Sequence, residues 1–248
     1  MDSNQTKTLT GRICLVTGAT RGIGRAIARM LALEGAHVTI CGRRQDSVDQ
    51  AVAELVGETG GKVEGKAADV RDSDQLDELF RFIDNRWGGL DVLVNNAGVG
   101  IFRPVSELSI EEWKATVETN LHGVFYATRE ALVRFETRGR GYVVNISSLA
   151  GANAFAGGAA YNASKFALTG FSEAAMQDLR SKDVRVSYIM PGSVATEFGG
   201  HTSSGTDWKI WPEDVAEIVK MLLLMPARTL VSRVEVRPSK PPQSGSKR

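Results

Sequence analysis

The sequence predicts an α/β protein: a single doubly wound domain on a parallel sheet of about seven strands, with helices on both faces. Three observations predict it. Short apolar, β-rich runs alternate with helical segments along the chain, and strict alternation implies parallel strands joined by right-handed crossovers. The first of these runs is followed at once by a glycine-rich turn that opens a helix. The polar clusters all fall just after strands, and in open α/β sheets ligands sit beyond the carboxyl ends of the strands.

The elements follow in order. Ile13-Cys-Leu-Val-Thr17 reads as a buried strand. The turn Thr17-Gly18-Ala-Thr20-Arg21-Gly22-Ile23-Gly24 leads into a helix over Arg25–Glu34, which Gly35 ends. Further strands are expected at His37–Gly42, Lys62–Asp69, Val92–Ala97, Tyr142–Ser147, Arg185–Met190 and Ser232–Arg237. Further helices are expected at Asp46–Thr59, Ser73–Trp87, Ile110–Thr137, Tyr161–Ser181 and Pro212–Met225. Residues 1–237 then form one catalytic domain, and the proline-, serine- and lysine-rich stretch Pro238–Arg248 is a mobile tail.

Composition narrows the function. The chain has 248 residues, 42% hydrophobic and 24% charged, enough for one large core. A net charge of +1 gives no bulk attraction to nucleic acid or anionic membrane. No apolar run reaches the length of a membrane span, and Met1–Lys7 lacks the hydrophobic core of a secretory signal, so a cytoplasmic protein is expected. Cys14 falls early in the first strand and Cys41 late in the second, too far apart for a disulfide. His37, His122 and His201 share no ligand spacing, so no metal is expected; His201, in the segment after Thr196, is a candidate substrate contact.

Two motifs carry chemistry. Strand, glycine-rich turn and helix form the context of a Rossmann-type dinucleotide site: the glycines let backbone approach a pyrophosphate, and the helix N-terminus offers free N–H groups. Tyr161 and Lys165, four apart, share one face of a helix in the stretch Ser148…Tyr161-Asn162-Ala-Ser-Lys165. An ammonium beside a phenol favours the phenolate and is expected to lower the tyrosine pKa from about 10. Such a tyrosine exchanges protons with a carbonyl or alcohol oxygen.

Together these motifs resemble the short-chain dehydrogenase/reductase family, in its branch of about 250 residues that prefers NADP. The resemblance runs from about Leu9 to about Arg237 and rests on Thr17–Gly24, Asp69-Val70, Asn95-Asn96-Ala97-Gly98, Asn120, Ser148, Tyr161-x-x-x-Lys165 and Pro191-Gly192-Ser-Val194-Ala-Thr196. It implies catalysis by Asn120, Ser148, Tyr161 and Lys165. Ser148 stands thirteen positions before Tyr161, as in the family pattern, which leaves Ser147 a structural hydroxyl. Ser148 would stabilise charge on a substrate carbonyl, Tyr161 protonate it, Lys165 bind the nicotinamide ribose, and Asn120 position a water that feeds protons to Lys165. Cofactor contacts are implied at Gly18, Thr20, Arg21, Gly22, Ile23 and Gly24, at Asp69 and Val70 beside the adenine, at Asn96, Ala97 and Gly98, and at Pro191, Gly192, Val194 and Thr196, besides Tyr161 and Lys165. Asn95 and Asn96 have a second reading, as polar strand ends that tie strands together.

Cofactor choice turns on the end of the second strand. Gly42 stands where an NAD-preferring relative carries Asp, and Arg43 and Arg44 follow. A guanidinium binds the 2′-phosphate of NADP and gives little to a neutral diol; Arg21 would reach the same phosphate from the turn. The expected cofactor is therefore NADP(H), with a small carbonyl or alcohol compound as substrate, of 3-oxoacyl, 3-hydroxy acid or small-carbonyl type. The glycine- and serine-rich stretch from Glu197 to Trp211 reads as a short lid. Phe102, Phe155, Phe198, Trp208 and Trp211 are candidate apolar walls or simply core. The ending Val234-Glu-Val-Arg-Pro238 departs from the acyl-carrier-protein reductases of the family. Small and apolar residues on more than one face of the helices over Ile110–Thr137 and Tyr161–Ser181 predict a homodimer or homotetramer. Two alternatives stay open: an NAD-dependent secondary-alcohol dehydrogenase, and a non-catalytic nucleotide sensor.

Overall fold

A computed structural model describes residues 7–200 and 208–240. His201 and residues 241–248 of the expected tail lie outside the described residues. Seven strands form one sheet: β1 (Ile13–Val16), β2 (His37–Gly42), β3 (Lys62–Ala67), β4 (Val92–Asn95), β5 (Gly141–Ile146), β6 (Val184–Pro191) and β7 (Arg233–Val236). All pairs are parallel, in the order β3-β2-β1-β4-β5-β6-β7. The order reverses between β1 and β4. Such a reversal, at the carboxyl edge, is where open α/β sheets bind their ligands.

The helices are α1 (Gly22–Leu33), α2 (Gln45–Thr59), α3 (Ser73–Trp87), α4 (Ile110–Val117), α5 (Gly123–Arg138), α6 (Ala159–Leu179) and α7 (Pro212–Leu224). Local signals set several ends. The Asp72 side chain accepts from the backbone N–H groups of Asp74 and Gln75 and starts α3, while Gly88 at φ 82° stops it. Ser109 and Glu112 form a reciprocal capping box on α4. The strands alternate their side chains between two cores. Val16, Val38, Ile40, Val94 and Val144 pack with α1, α2 and α7 on one face. Leu15, Leu93 and Val143 pack with Leu79, Phe80, Ala131 and Phe135 of α3 and α5 on the other. Cys14 and Cys41 are buried and free, and they also fall on opposite faces of the sheet.

The expected single helix over Ile110–Thr137 is interrupted. A π-helical stretch, Glu118–His122, separates α4 from α5. Its cause is tertiary. The fully buried Asn120 accepts from Val99 N at 2.8 Å and donates to Val99 O at 2.9 Å and to Ser164 Oγ at 3.0 Å. Helices take such a bulge where a side chain must be re-aimed, and many lie at functional sites. The edge strand β7 shows its charged face to solvent: Glu235 pairs with Arg233 and with Arg237. Among the described residues, no helix is long and apolar enough to cross a membrane.

Candidate active site

The glycine-rich turn is held in shape by β4. Asn96 Nδ2 donates to Thr17 O at 3.0 Å and to Gly18 O at 2.9 Å, while Thr17 Oγ1 accepts from Asn96 N and Ala97 N at 3.0 and 3.1 Å. The two loops touch: a Cβ on Gly18 (φ 62°) would lie 2.7 Å from Ala97 Cα, and one on Gly24 2.4 Å from Asn96 Nδ2. One level down, Asn95 Nδ2 donates to Asn145 Oδ1 at 2.9 Å, and Asn145 Nδ2 donates to Ser172 Oγ at 2.9 Å, joining β4, β5 and α6. The tying role read for these asparagines is real. Thr17 has it too, and an isolated strand-end threonine gives no sequence signal for it.

Arg21 occupies the position before α1, whose first N–H groups open into the turn, with Gly22, Ile23 and Gly24 forming the first helical residues. Thr20, Arg21, Arg43, Arg44 and Ser47 line one open cleft of about 600 Å³, together with Gln50, Ala51 and Glu54 of α2, where Glu54 pairs with Arg25 at 3.1 Å. Three guanidinium-bearing residues and two hydroxyls in one cleft suit a dianionic phosphate. Arg21 donates to Glu197 at 3.1 Å, and Arg44 pairs with Asp46; both pairs are exposed. At the end of β3, Arg71 grips both oxygens of Asp69, with Nε at 3.0 and 3.1 Å. That hydrogen bonding holds the Asp69 carboxyl below its ordinary range, and the charge of Arg43 adds to it. Val70 is buried under the start of α5. Pro191 ends β6; Gly192 bonds to Val236 O at 2.8 Å, Val194 bridges to Ile210, and Thr196 reaches back toward Gly22.

Tyr161, Lys165 and Ser148, the expected catalytic residues, come together at the same edge of the sheet. Tyr161 and Lys165 project from the start of α6, buried. Lys165 Nζ donates to Ile146 O at 2.9 Å, with the Tyr161 ring centroid 5.8 Å away. Burial pushes the lysine pKa down to about 8. Burial also raises the Tyr161 pKa, and the Ser148 hydroxyl opposes the rise. This reverses the expected direction: the ammonium turns to a backbone carbonyl, and the loss of water around the phenol outweighs any field it exerts. A raised pKa keeps Tyr161 protonated at neutral pH, which is the state a proton donor needs. Ser148 Oγ also accepts from Ala150 N at 3.1 Å. Ser147, its neighbour, is buried with its hydroxyl unpartnered among the described residues.

Asn162, inside the Tyr161–Lys165 motif, is a structural tie. Its Nδ2 donates to Ala150 O at 2.8 Å and to Asn153 O at 3.0 Å, and its Oδ1 accepts from Phe155 N at 3.3 Å. It fastens the loop that follows Ser148 to α6. Asn120 lies beneath Gly98: a Cβ there would sit 3.3 Å from Asn120 Oδ1 and 3.9 Å from Lys165 Nζ. Of the five candidate apolar walls, three gather. Phe102 and Phe198 stand 5.4 and 5.8 Å from the Tyr161 ring, and Phe155 5.8 Å from Phe102. Trp211 instead precedes α7, where its N–H donates to Asp214 at 2.7 Å. Trp208 carries Lys209 over its ring. Among the described residues, no group of three or more His, Cys, Asp or Glu is placed to hold a metal.

A family model described as short chain dehydrogenase matches residues 12–207. The NADP-dependent 3-hydroxy acid dehydrogenase YdfG of Shigella flexneri is 35% identical over 238 residues, covering 91% of this chain and 94% of that protein. A metagenomic short-chain oxidoreductase, solved in complex with NADP, is 37% identical with a TM-score of 0.83, covering 94% of this chain and 100% of that one. An alcohol dehydrogenase from the archaeon Thermococcus sibiricus, complexed with 5-hydroxy-NADP, is 31% identical with a TM-score of 0.85, covering 93% and 98%.

Proposed function

The chain belongs to the short-chain dehydrogenase family, and from that premise we propose that it is an NADPH-dependent oxidoreductase reducing a ketone or aldehyde to an alcohol. The observation that carries this reading is that two features share the carboxyl edge of the sheet: an arginine-lined cleft, and the buried Tyr161 hydrogen-bonded to Ser148. The relatives fit it: one is NADP-dependent by name, and two were solved with NADP or 5-hydroxy-NADP.

Arg21, Arg43 and Arg44, with Thr20, would hold the 2′-phosphate. Gly18, Gly22, Ile23 and Gly24 would hold the pyrophosphate on backbone N–H groups. Asp69 and Val70 would flank the adenine, Asn96, Ala97 and Gly98 the adenosine, and Pro191, Gly192, Val194 and Thr196 the nicotinamide. When bound, NADPH supplies the hydride. Ser148 donates a hydrogen bond to the substrate carbonyl oxygen, where negative charge develops. Tyr161 gives that oxygen its phenolic proton. Lys165 holds a ribose hydroxyl, and its pKa near 8 lets it pass a proton toward Tyr161. Asn120, bonded to Val99 and Ser164 beneath Gly98, would position a water that feeds protons to Lys165. The exposed rings Phe125 of α5 and Phe166 of α6 support a homodimer or homotetramer through these helices.

The test is Tyr161→Phe. We expect turnover with NADPH across a carbonyl panel to fall about 10²- to 10⁴-fold, the usual share of general acid catalysis. NADPH binding should change little. A variant that keeps wild-type turnover removes Tyr161 from the chemistry, and no turnover by the wild type across the panel, with NADPH still bound, supports the sensor alternative.

A further inference from the structure

We infer that the substrate is a neutral carbonyl compound bearing an aromatic group, seated on Phe102, Phe155 and Phe198, and not a 3-oxo acid. This rests on the carbonyl-reductase reading above. A carbonyl held by Ser148 and Tyr161 presents its substituents to the surroundings of the Tyr161 ring. Those surroundings are aromatic. Phe102 meets Tyr161 edge-on at 5.4 Å and 74°, Phe198 tilts against it at 5.8 Å, and Phe155 continues the wall at 5.8 Å from Phe102. Centroid spacings of this size and tilted planes are those of paired aromatic rings.

Gly100 makes the closure possible: a Cβ there would lie 2.5 Å from Phe198 and 2.9 Å from Phe102. Two of the rings are open for contact, Phe155 at 47% and Phe198 at 40% exposed. Exposed apolar rings at a site's mouth mark a binding surface for an apolar group. The cation next to the wall in the chain turns away from it: Arg103, beside Phe102, pairs with Glu112 at 3.2 Å. The three rings themselves offer a carboxylate no hydrogen bond in return for its lost water, whereas a phenyl ring gains apolar and ring–ring contact.

The experiment compares two methyl ketones that differ only in this group, 1-phenylpropan-2-one and 3-oxobutanoate. NADPH consumption gives kcat/KM for each. Saturation-transfer NMR of each ketone on the protein with NADP⁺, where no reduction can occur, gives a readout independent of turnover. We expect the phenyl ketone to be preferred by about a hundredfold, since a site rejects a group whose polar atoms it leaves unpaired. Its ring protons should receive saturation. Phe155→Ala and Phe198→Ala, both at exposed positions that spare the core, should each lower the preference about tenfold. A ratio at or below one, or one that neither variant lowers, overturns the inference and leaves the reductase reading standing. No NADPH consumption with either ketone overturns the inference, and none across the whole carbonyl panel overturns the reductase reading with it.

Discussion

Asn162→Ala should damage this protein more than a surface-helix asparagine has any reason to. The side chain is 6% exposed and serves three backbone groups of one loop. Its bond to Ala150 O, at 2.8 Å, is buried, so truncation leaves a carbonyl without solvent, at a cost of about 1–3 kcal/mol. The bond to Asn153 O, at 3.0 Å, is partly buried and worth about 1 kcal/mol. The bond from Phe155 N is long, at 3.3 Å, and adds roughly 0.5 kcal/mol. The sum is about 3 kcal/mol, which in a domain of this size lowers Tm by about 6–12 °C. Urea unfolding gives the stability change, and hydrogen exchange reads the amide of Phe155. Exchange there should quicken while amides in β4 and β5 keep their protection. A loss below about 0.5 kcal/mol with Phe155 exchange unchanged would refute the fastening role, because surface substitutions fall in that range.

The remaining predictions concern the candidate site. Asn96→Ala removes two donations to the glycine-rich turn and should weaken NADPH and NADH alike, read by titration; a change in their ratio would contradict it. Arg71→Ala should raise the Asp69 pKa toward 3.8 in a carboxyl NMR titration, since Arg71 is the main cause of its depression; an unmoved titration would show another cause. Lys165 has a folded-state pKa below its ordinary 10.5, so the protein without cofactor carries a burial penalty that is fully present below pH 8 and lifts as pH rises toward 10.5. Relative to Lys165→Met, wild-type stability should therefore gain up to roughly 3 kcal/mol between pH 7 and 10.5. A pH-independent difference would show that burial does not disfavour the charged lysine.

Much of the architecture is legible because it is written locally. Capping residues, glycines after helices and β-branched runs place α3 at Ser73–Trp87 and β2 at His37–Gly42 as read from the chain. The arginine cleft is legible too, since Arg21, Arg43 and Arg44 leave two neighbouring strand ends. What escapes is what distant residues decide. Nothing in Glu118–His122 announces a π-helical turn; Val99 and Ser164, far off in sequence, impose it through Asn120. The spacing of Tyr161 and Lys165 gives a shared face but neither burial nor the carbonyl that the ammonium chooses, so the direction of the tyrosine shift is misread. Phe102, Phe155 and Phe198 look like any core phenylalanines until the loops that carry them meet at Tyr161.

The most direct test of the cofactor assignment is a fluorescence titration of the purified protein with NADPH and NADH, repeated on Arg43→Ala. A charge-assisted contact to phosphate contributes about 1.5–3 kcal/mol, so NADPH should bind at least about tenfold more tightly, and Arg43→Ala should lose most of that margin. Equal affinities, or tighter binding of NADH, would contradict the arginine cleft as a 2′-phosphate site and favour an NAD-dependent alcohol dehydrogenase.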